Sequence, residues 1–174
     1  AIHAAREYGC RVTGITISKE QHDFARAAVA KAGLSDKVEI LLTDYRNHQG
    51  AYDRIVSIEM IEAVGNEFLG DYFAKIMSLL RPDGAALIQA ITMPDQRYEQ
   101  YLKGCDFIQR YIFPGSCVPS LGAMSRAYSS RTGRRPRWQT RSRCLKMRVT
   151  RTGWSFSGRR STSSAAAMRT SSST

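Results

Sequence analysis

The sequence predicts an α/β fold built on a doubly wound parallel sheet. Three observations lead there. Short runs rich in Val, Ile and Leu alternate with segments of helical periodicity over residues 11–92. The loops between them are short, as in sheets with right-handed crossovers. The apolar runs end in polar or acidic residues, where open α/β sheets place their ligands.

Residues 1–8 read as the end of a helix, with Gly9 as its C-cap. Residues 11–17, RVTGITI, form the first strand. Ser18 suits an N-cap, and Gln21 three residues on completes a capping-box pattern. The helix that follows carries Phe24, Ala27, Ala28 and Ala32 and stops at Gly33. KVEILL at 37–42 is the second strand, closed by Thr43, Asp44 and Tyr45. The third spans 54–58 within YDRIVSIEMIEAVG and ends in Glu59 and Glu62. A run this apolar and β-branched fits a strand covered on both faces. Phe73, Ile76, Met77 and Leu80 mark a helix over 68–80, stopped by Pro82 and Gly84. AALIQAIT at 85–92 is the fourth strand. Beyond Pro94 the pattern weakens to a short helix at 96–104, an aromatic stretch FIQRYIF at 107–113, and a helix start at Pro119 and Ser120.

With 174 residues, the chain has room for one domain with a real core. Its net charge of +11 is unevenly placed. Residues 1–124 hold 13 Lys and Arg against 15 Asp and Glu, whereas residues 125–174 hold 13 Lys and Arg and no acid. Twelve of those last 50 residues are Arg and twelve are Ser, with no period. Such a segment buries too little apolar surface to offset its ordering entropy, so disorder is expected from 125. A basic tail for nucleic acid or anionic lipid, a solvated extension and a frameshifted translation all fit. The composition favours the frameshift, because a globular pattern stops and no heptad, RNA-binding or zinc pattern replaces it.

Cys10, Cys105, Cys117 and Cys144 form no CxxC pair, and no Cys/His cluster has metal spacing, so buried thiols in a reducing compartment are expected. No apolar run approaches the roughly 20 residues of a membrane span, and no signal peptide is read at 1–9. His3, His22 and His48 sit at helix or loop positions without a paired acid or cysteine, and surface roles are expected for them.

The chain has no GxGxxG, Walker, G-x-S-x-G or HExxH motif. Thr16 with Gln21 could line a nucleoside pocket, or be a strand end and a cap partner. Asp44 and Tyr45 could meet an adenine, or simply make a turn. Together these strand ends form a polar row, more specific than any one member. Glu59 and Glu62, at i and i+3, would share a helix face. Glu59 also suits a helix start, while Glu62 sits among Ile61, Ala63 and Val64, where a carboxylate needs a partner. Gln89, mid-strand, needs a hydrogen bond for its amide.

The segments YGCRVTGITISKEQ, DYR, DRIVSIEMIEAVG, LRPDG, QAITMPDQRYEQY and DFIQRYIFPGSCVPS, in this order, resemble cyclopropane-fatty-acyl-phospholipid synthases. These are class I S-adenosylmethionine-dependent methyltransferases with a Rossmann-like sheet. The likeness covers residues 1–124, and IVSIEMIEAVG and RYIFPG are its most specific parts. It implies transfer of the methyl of S-adenosyl-L-methionine to the cis double bond of an unsaturated phospholipid acyl chain. The cation so formed loses a proton to a bound bicarbonate and closes to a cyclopropane. By the same resemblance Glu62, Gln89 and the backbone of Ile91 hold the bicarbonate, although many relatives carry His at the positions of Ala63 and Gln89. Gln can still donate a hydrogen bond to an anion but cannot carry a positive charge. Thr16, Ile17 and Gln21 match the S-adenosylmethionine wall, and Asp44, Tyr45 and Arg46 its adenine end.

An alkene substrate and a sulfonium donor need orientation, a dry cavity and one base, which agrees with the lack of a triad or metal motif. The aromatic stretch 107–113 suits an acyl channel, and core packing accounts for it equally. The resemblance further implies a cytoplasmic enzyme at the inner face of the membrane, peripheral membrane contact, a homodimer and no nucleic-acid partner. A relative that adds a methyl or methylene branch, or a nucleic-acid-binding protein acting through the basic tail, are the competing readings. The family's glycine-rich loop is expected upstream of Ala1, and its C-terminal part, with a tyrosine near the bicarbonate, is replaced after Ser120. The chain as written is therefore expected to be a fragment with little activity.

Overall fold

The computed structural model describes residues 1–133 in full, and the backbone alone of 137–141, 144–150 and 166–169. The described helices are α1 (Ile2–Tyr8), α2 (Lys19–Lys31), α3 (Leu69–Leu79), α4 (Asp95–Leu102) and α5 (Leu121–Thr132). The strands are β1 (Arg11–Thr16), β2 (Val38–Leu42), β3 (Tyr52–Ile58), β4 (Leu80–Ile91), β5 (Arg137–Arg141), β6 (Cys144–Thr150) and β7 (Ala166–Arg169).

One seven-stranded sheet runs in the order β2-β1-β7-β3-β4-β6-β5. β1 pairs in parallel with β2, and β3 with β4, as a doubly wound sheet requires. The sheet is mixed rather than wholly parallel. β7 lies antiparallel between β1 and β3, and β6 and β5 extend the β4 edge antiparallel. Unpaired edges of β1, β3 and β4 are hydrogen-bonding templates, and a strand of any sequence can satisfy them through its backbone.

The disorder expected from residue 125 does not hold for residues 125–132. Residues 125–132 continue α5, and Tyr128 there is 3% exposed. The Arg and Ser count hid a helix with one apolar face. Ser120 caps it by accepting from Ala123 N at 3.2 Å, and Met124 and Tyr128 face inward. Tyr128 packs edge-on against Phe73 of α3, with ring centroids 5.7 Å apart. The remaining residues of the expected tail, at 134–136, 142–143, 151–165 and 170–174, lie outside the described residues.

The core divides into two clusters. The smaller holds Ala4, Ala5, Cys10, Val12, Val29 and Val38, where α1 and α2 cover β1 and β2. The larger joins β3, β4, α3 and α5 around Tyr72, Phe73, Ile61, Leu80, Ile88 and Met124. α2 turns Val29 inward and leaves Phe24 out in solvent, so its expected apolar face is rotated. α4 and α5 lock together where Asp95 accepts from Gly122 N at 2.8 Å. A Cβ on Gly122 would lie 2.5 Å from that carboxylate oxygen, so a larger residue would push the Asp95 side chain aside.

His48 is a second correction. It is buried, not a surface residue, and its Nε2 lies 2.7 Å from the Tyr52 hydroxyl with the rings stacked. Burial, helped by Lys75, holds its pKa below the ordinary histidine value. Cys10 and Cys117 are buried as expected, but Cys105 is exposed.

Candidate active site

The carboxyl ends of the parallel strands gather every residue singled out for chemistry. They do so in two groups. At the ends of β1 and β2, Thr16 O accepts from Thr43 N at 2.9 Å, which sets the two strand ends side by side. Thr16 Oγ1 donates to Gln21 Oε1 at 2.9 Å and accepts from Ser18 N at 3.1 Å. Ser18 Oγ accepts from Gln21 N at 3.2 Å, so half of the capping box forms. Its other half is replaced, because Thr16 takes both the Gln21 side chain and the Ser18 N–H. Ile17, beside them, is 78% exposed.

Asp44 accepts from Arg46 four times: from its N–H at 2.8 Å, from Nε at 3.0 and 3.1 Å, and from Nη2 at 2.6 Å. These bonds hold the Asp44 carboxyl below its ordinary pKa. Tyr45 turns inward and meets Tyr72 edge-on at 5.8 Å, and burial pushes its pKa up. Tyr45 also borders a cavity of about 50 Å³ lined by Ile15, Ile55, Val56 and Ile76. Neither Thr16, Gln21 nor Glu62 lines that void, which is core space behind the strand ends rather than a reaction chamber.

The second group lies at the ends of β3 and β4. Glu59 and Glu62 do not share a helix face. Glu59 ends β3 with φ of 50°, and Glu62 sits in a separate 3₁₀ turn, Ile61–Ala63. A non-glycine residue in the left-handed region is strained by roughly 1–3 kcal/mol and holds only where its surroundings fix it. Here Glu59 N donates to Gln89 O at 2.9 Å, and Gln89 Nε2 donates to Glu59 Oε1 at 3.3 Å. Gln89 is thus bonded to Glu59, not to Glu62.

Glu62 Oε1 accepts from Ile91 N at 2.5 Å. Its Oε2 is sealed from solvent without a partner among the described residues. Burial is the main reason its pKa is raised. The Ile91 N–H opposes the rise, and Glu59 adds to it. The turn is fixed from behind. Glu62 O accepts from Cys117 N at 2.7 Å, and Tyr98 donates to Asn66 Oδ1 at 2.7 Å while touching Cys117 Sγ at 3.7 Å. Gly65, with φ of 85°, lets the chain reverse between the Glu62 turn and the next one.

Sequence reasoning gives Glu62, Gln89 and the Ile91 backbone a shared anion by resemblance, whereas Ile91 N donates to Glu62 itself and Gln89 Nε2 to Glu59. It misses Asn66, Tyr98 and Cys117, which hold the Glu62 turn in place. Only the Gly65-Asn66 pair, a turn signal, points to any of them.

The mixed sheet, with its parallel pairs β1–β2 and β3–β4 and polar groups at their carboxyl ends, matches class I methyltransferase structures. The solved structure of the mycolic acid cyclopropane synthase CmaA1, complexed with SAH and CTAB, overlays with a TM-score of 0.66 at 29% identity, covering 75% of this chain and 49% of that one. The chain belongs to the mycolic acid cyclopropane synthetase family, whose model matches residues 1–142. Among curated relatives, tuberculostearic acid methyltransferase UfaA1 of Mycobacterium tuberculosis is 46% identical over 127 residues, 73% of this chain and 30% of the relative. The cyclopropane-fatty-acyl-phospholipid synthase of Escherichia coli K12 is 38% identical over 121 residues, 70% of this chain and 30% of the relative. The chain thus spans less than a third of the length of these relatives.

Proposed function

We propose that this chain is part of an S-adenosylmethionine-dependent enzyme that adds a methylene to the cis double bond of unsaturated phospholipid acyl chains. The product would be a cyclopropane fatty acid, made at the inner face of the membrane. One observation carries the reading. Glu62 presents a buried oxygen without a partner among the described residues, just past the end of a central strand, in a family named for cyclopropane synthesis.

The donor set fits the two small groups this chemistry needs. The Oε2 of Glu62 is an acceptor left open among the described residues, and bicarbonate has one O–H to give. Gln89 Nε2, on a bond of 3.3 Å to Glu59, can turn its second N–H toward the same anion. Ile91 N is already committed to Glu62 and therefore orients the carboxyl rather than the anion. Thr16, Ile17 and Gln21 would hold the methionyl and ribose side of S-adenosylmethionine, and Asp44 and Arg46 its adenine end. When bound, that group supplies an electrophilic methyl. The protein's own work is to fix Glu62, exclude water around its Oε2 and hold a proton acceptor beside the alkene.

A second reading, addition of a methyl or methylene branch, is favoured by the 46% likeness to a protein named as a methyltransferase. Lipid mass spectrometry of cells with and without the gene tests both. A gain of one methylene unit on monounsaturated acyl chains is expected, and fragmentation after derivatisation separates ring from branch. Unchanged acyl chains in both strains would sink the proposal.

A further inference from the structure

Glu59 holds a backbone shape that its residue type disfavours. With φ of 50°, it is the sole non-glycine residue of positive φ among those described. Strain of this kind persists where the surroundings fix it, and it gathers at functional sites. Here the surroundings are one residue. Gln89, in the β4 register opposite Ile58, is tied to Glu59 at two points. Glu59 N donates to Gln89 O at 2.9 Å, and Gln89 Nε2 donates to Glu59 Oε1 at 3.3 Å. A glycine at 59 would take the same φ without strain and keep the first bond. The backbone therefore does not ask for glutamate. What the side chain adds is the second bond, and with it the sense of the Gln89 amide. A carboxylate accepts, so the amide turns its nitrogen toward Glu59. That nitrogen carries two N–H groups, and the second remains for another acceptor.

We propose that Glu59 is a positioning residue for the anion site at Glu62: it locks the Gln89 amide so that an N–H, and not the carbonyl oxygen, is available to the anion. The inference rests on the reading above, in which bicarbonate is held by Glu62 and Gln89. Released from Glu59, the amide can swing through half a turn and offer Oε1, an acceptor, to a ligand made mostly of acceptors. Gln89 has no other way to set its direction by moving along the sheet. It is half-buried in β4, and its neighbours Ile88 and Ala90 are each 1% exposed. Both acids are anchored to this strand two residues apart. Glu59 is held through the Gln89 side chain, and Glu62 through the backbone N–H of Ile91. Attraction does not explain Glu59. Its negative charge opposes a second negative charge at the site, as its effect on Glu62 shows. The orientation it imposes is what remains.

The test is a titration of the full chain with isotope-labelled bicarbonate, read by NMR line broadening. It compares the parent with Glu59→Gly, Gln89→Ala and the double variant. Glycine takes φ of 50° freely, so Glu59→Gly is expected to keep the fold, checked by circular dichroism. Its bicarbonate affinity is expected to fall about tenfold, the scale of one hydrogen bond to a charged group. In the Gln89→Ala background the same change should cost nothing more, because Glu59 acts through Gln89. An affinity that stays unchanged in Glu59→Gly, or rises as loss of a repelling charge alone would make it, overturns the inference. So does an equal loss in both backgrounds. Nitrogen relaxation of the Gln89 side-chain amide gives a second readout that needs no anion. A rigid amide is expected in the parent and a mobile one in Glu59→Gly, and equal mobility in the two overturns the inference. A parent that binds no bicarbonate while Glu59 still locks its amide counts against the functional reading and leaves the orientation of Gln89 standing.

Discussion

Glu62 has two unlike oxygens: one orients the carboxyl through Ile91 N, and the other is buried without a partner among the described residues. Glu62→Gln keeps an acceptor for Ile91 but replaces the carboxylate oxygen proposed to hold the proton-accepting anion. Loss of at least about 100-fold in methyl transfer is expected, the usual scale for a positioned acid or base. Stability is expected to move little in acid and to rise in the variant at neutral pH. The sign follows from burial. The Glu62 pKa is raised in the folded state, so its favourable contribution is complete below the unfolded value. That contribution is lost as pH rises through the folded value. Urea unfolding of both proteins from acid to neutral pH checks this, and a difference that shrinks as pH rises would contradict it. Glu62 is legible in sequence because an acid among Ile61, Ala63 and Val64 must have a reason to be there. The strained φ of Glu59 is not legible, because a one-residue backbone reversal follows from the meeting of two segments. His48 misleads for a similar reason, since its partner Tyr52 lies across a loop whose course composition does not reveal.

At the scale of elements, the parallel pairs β1–β2 and β3–β4 and the caps at Gly9 and Ser18 follow from local rules. α5 does not. Its outer face is Arg and Ser, its inner face is carried by Met124 and Tyr128, and one inward residue per turn is a weak signal against that background. Tyr128→Ala is the decisive change, because its ring fills the space beside Phe73. A loss of about 3–5 kcal/mol is expected, as for other buried aromatic truncations. Arg131→Ala breaks the 2.6 Å pair with Asp71, but both groups are exposed and the loss should stay below about 1 kcal/mol. Chemical denaturation separates the two. Equal small effects would mean that α5 does not belong to the cooperative unit.

For the molecule as a whole, the cofactor end is the weakly provided one. Asp44 is bonded four times to Arg46 and would have to loosen that pairing to meet an adenine, Tyr45 faces the core, and Thr16 and Gln21 are bonded to each other. Binding of S-adenosylmethionine to the isolated chain is therefore expected to be weaker than micromolar. Calorimetric titration measures it, and micromolar affinity would show that the described strand ends suffice.

The place of β7 bears on how the molecule comes into being. A nascent chain emerges N-terminus first, so β1 and β3 are both made long before residues 166–169 leave the ribosome. Until then two strands that flank the same gap hold open hydrogen-bonding edges, each able to capture a foreign strand. The centre of the sheet is thus the last part to be sealed, and synthesis of this protein passes through a long interval in which chaperone protection matters most.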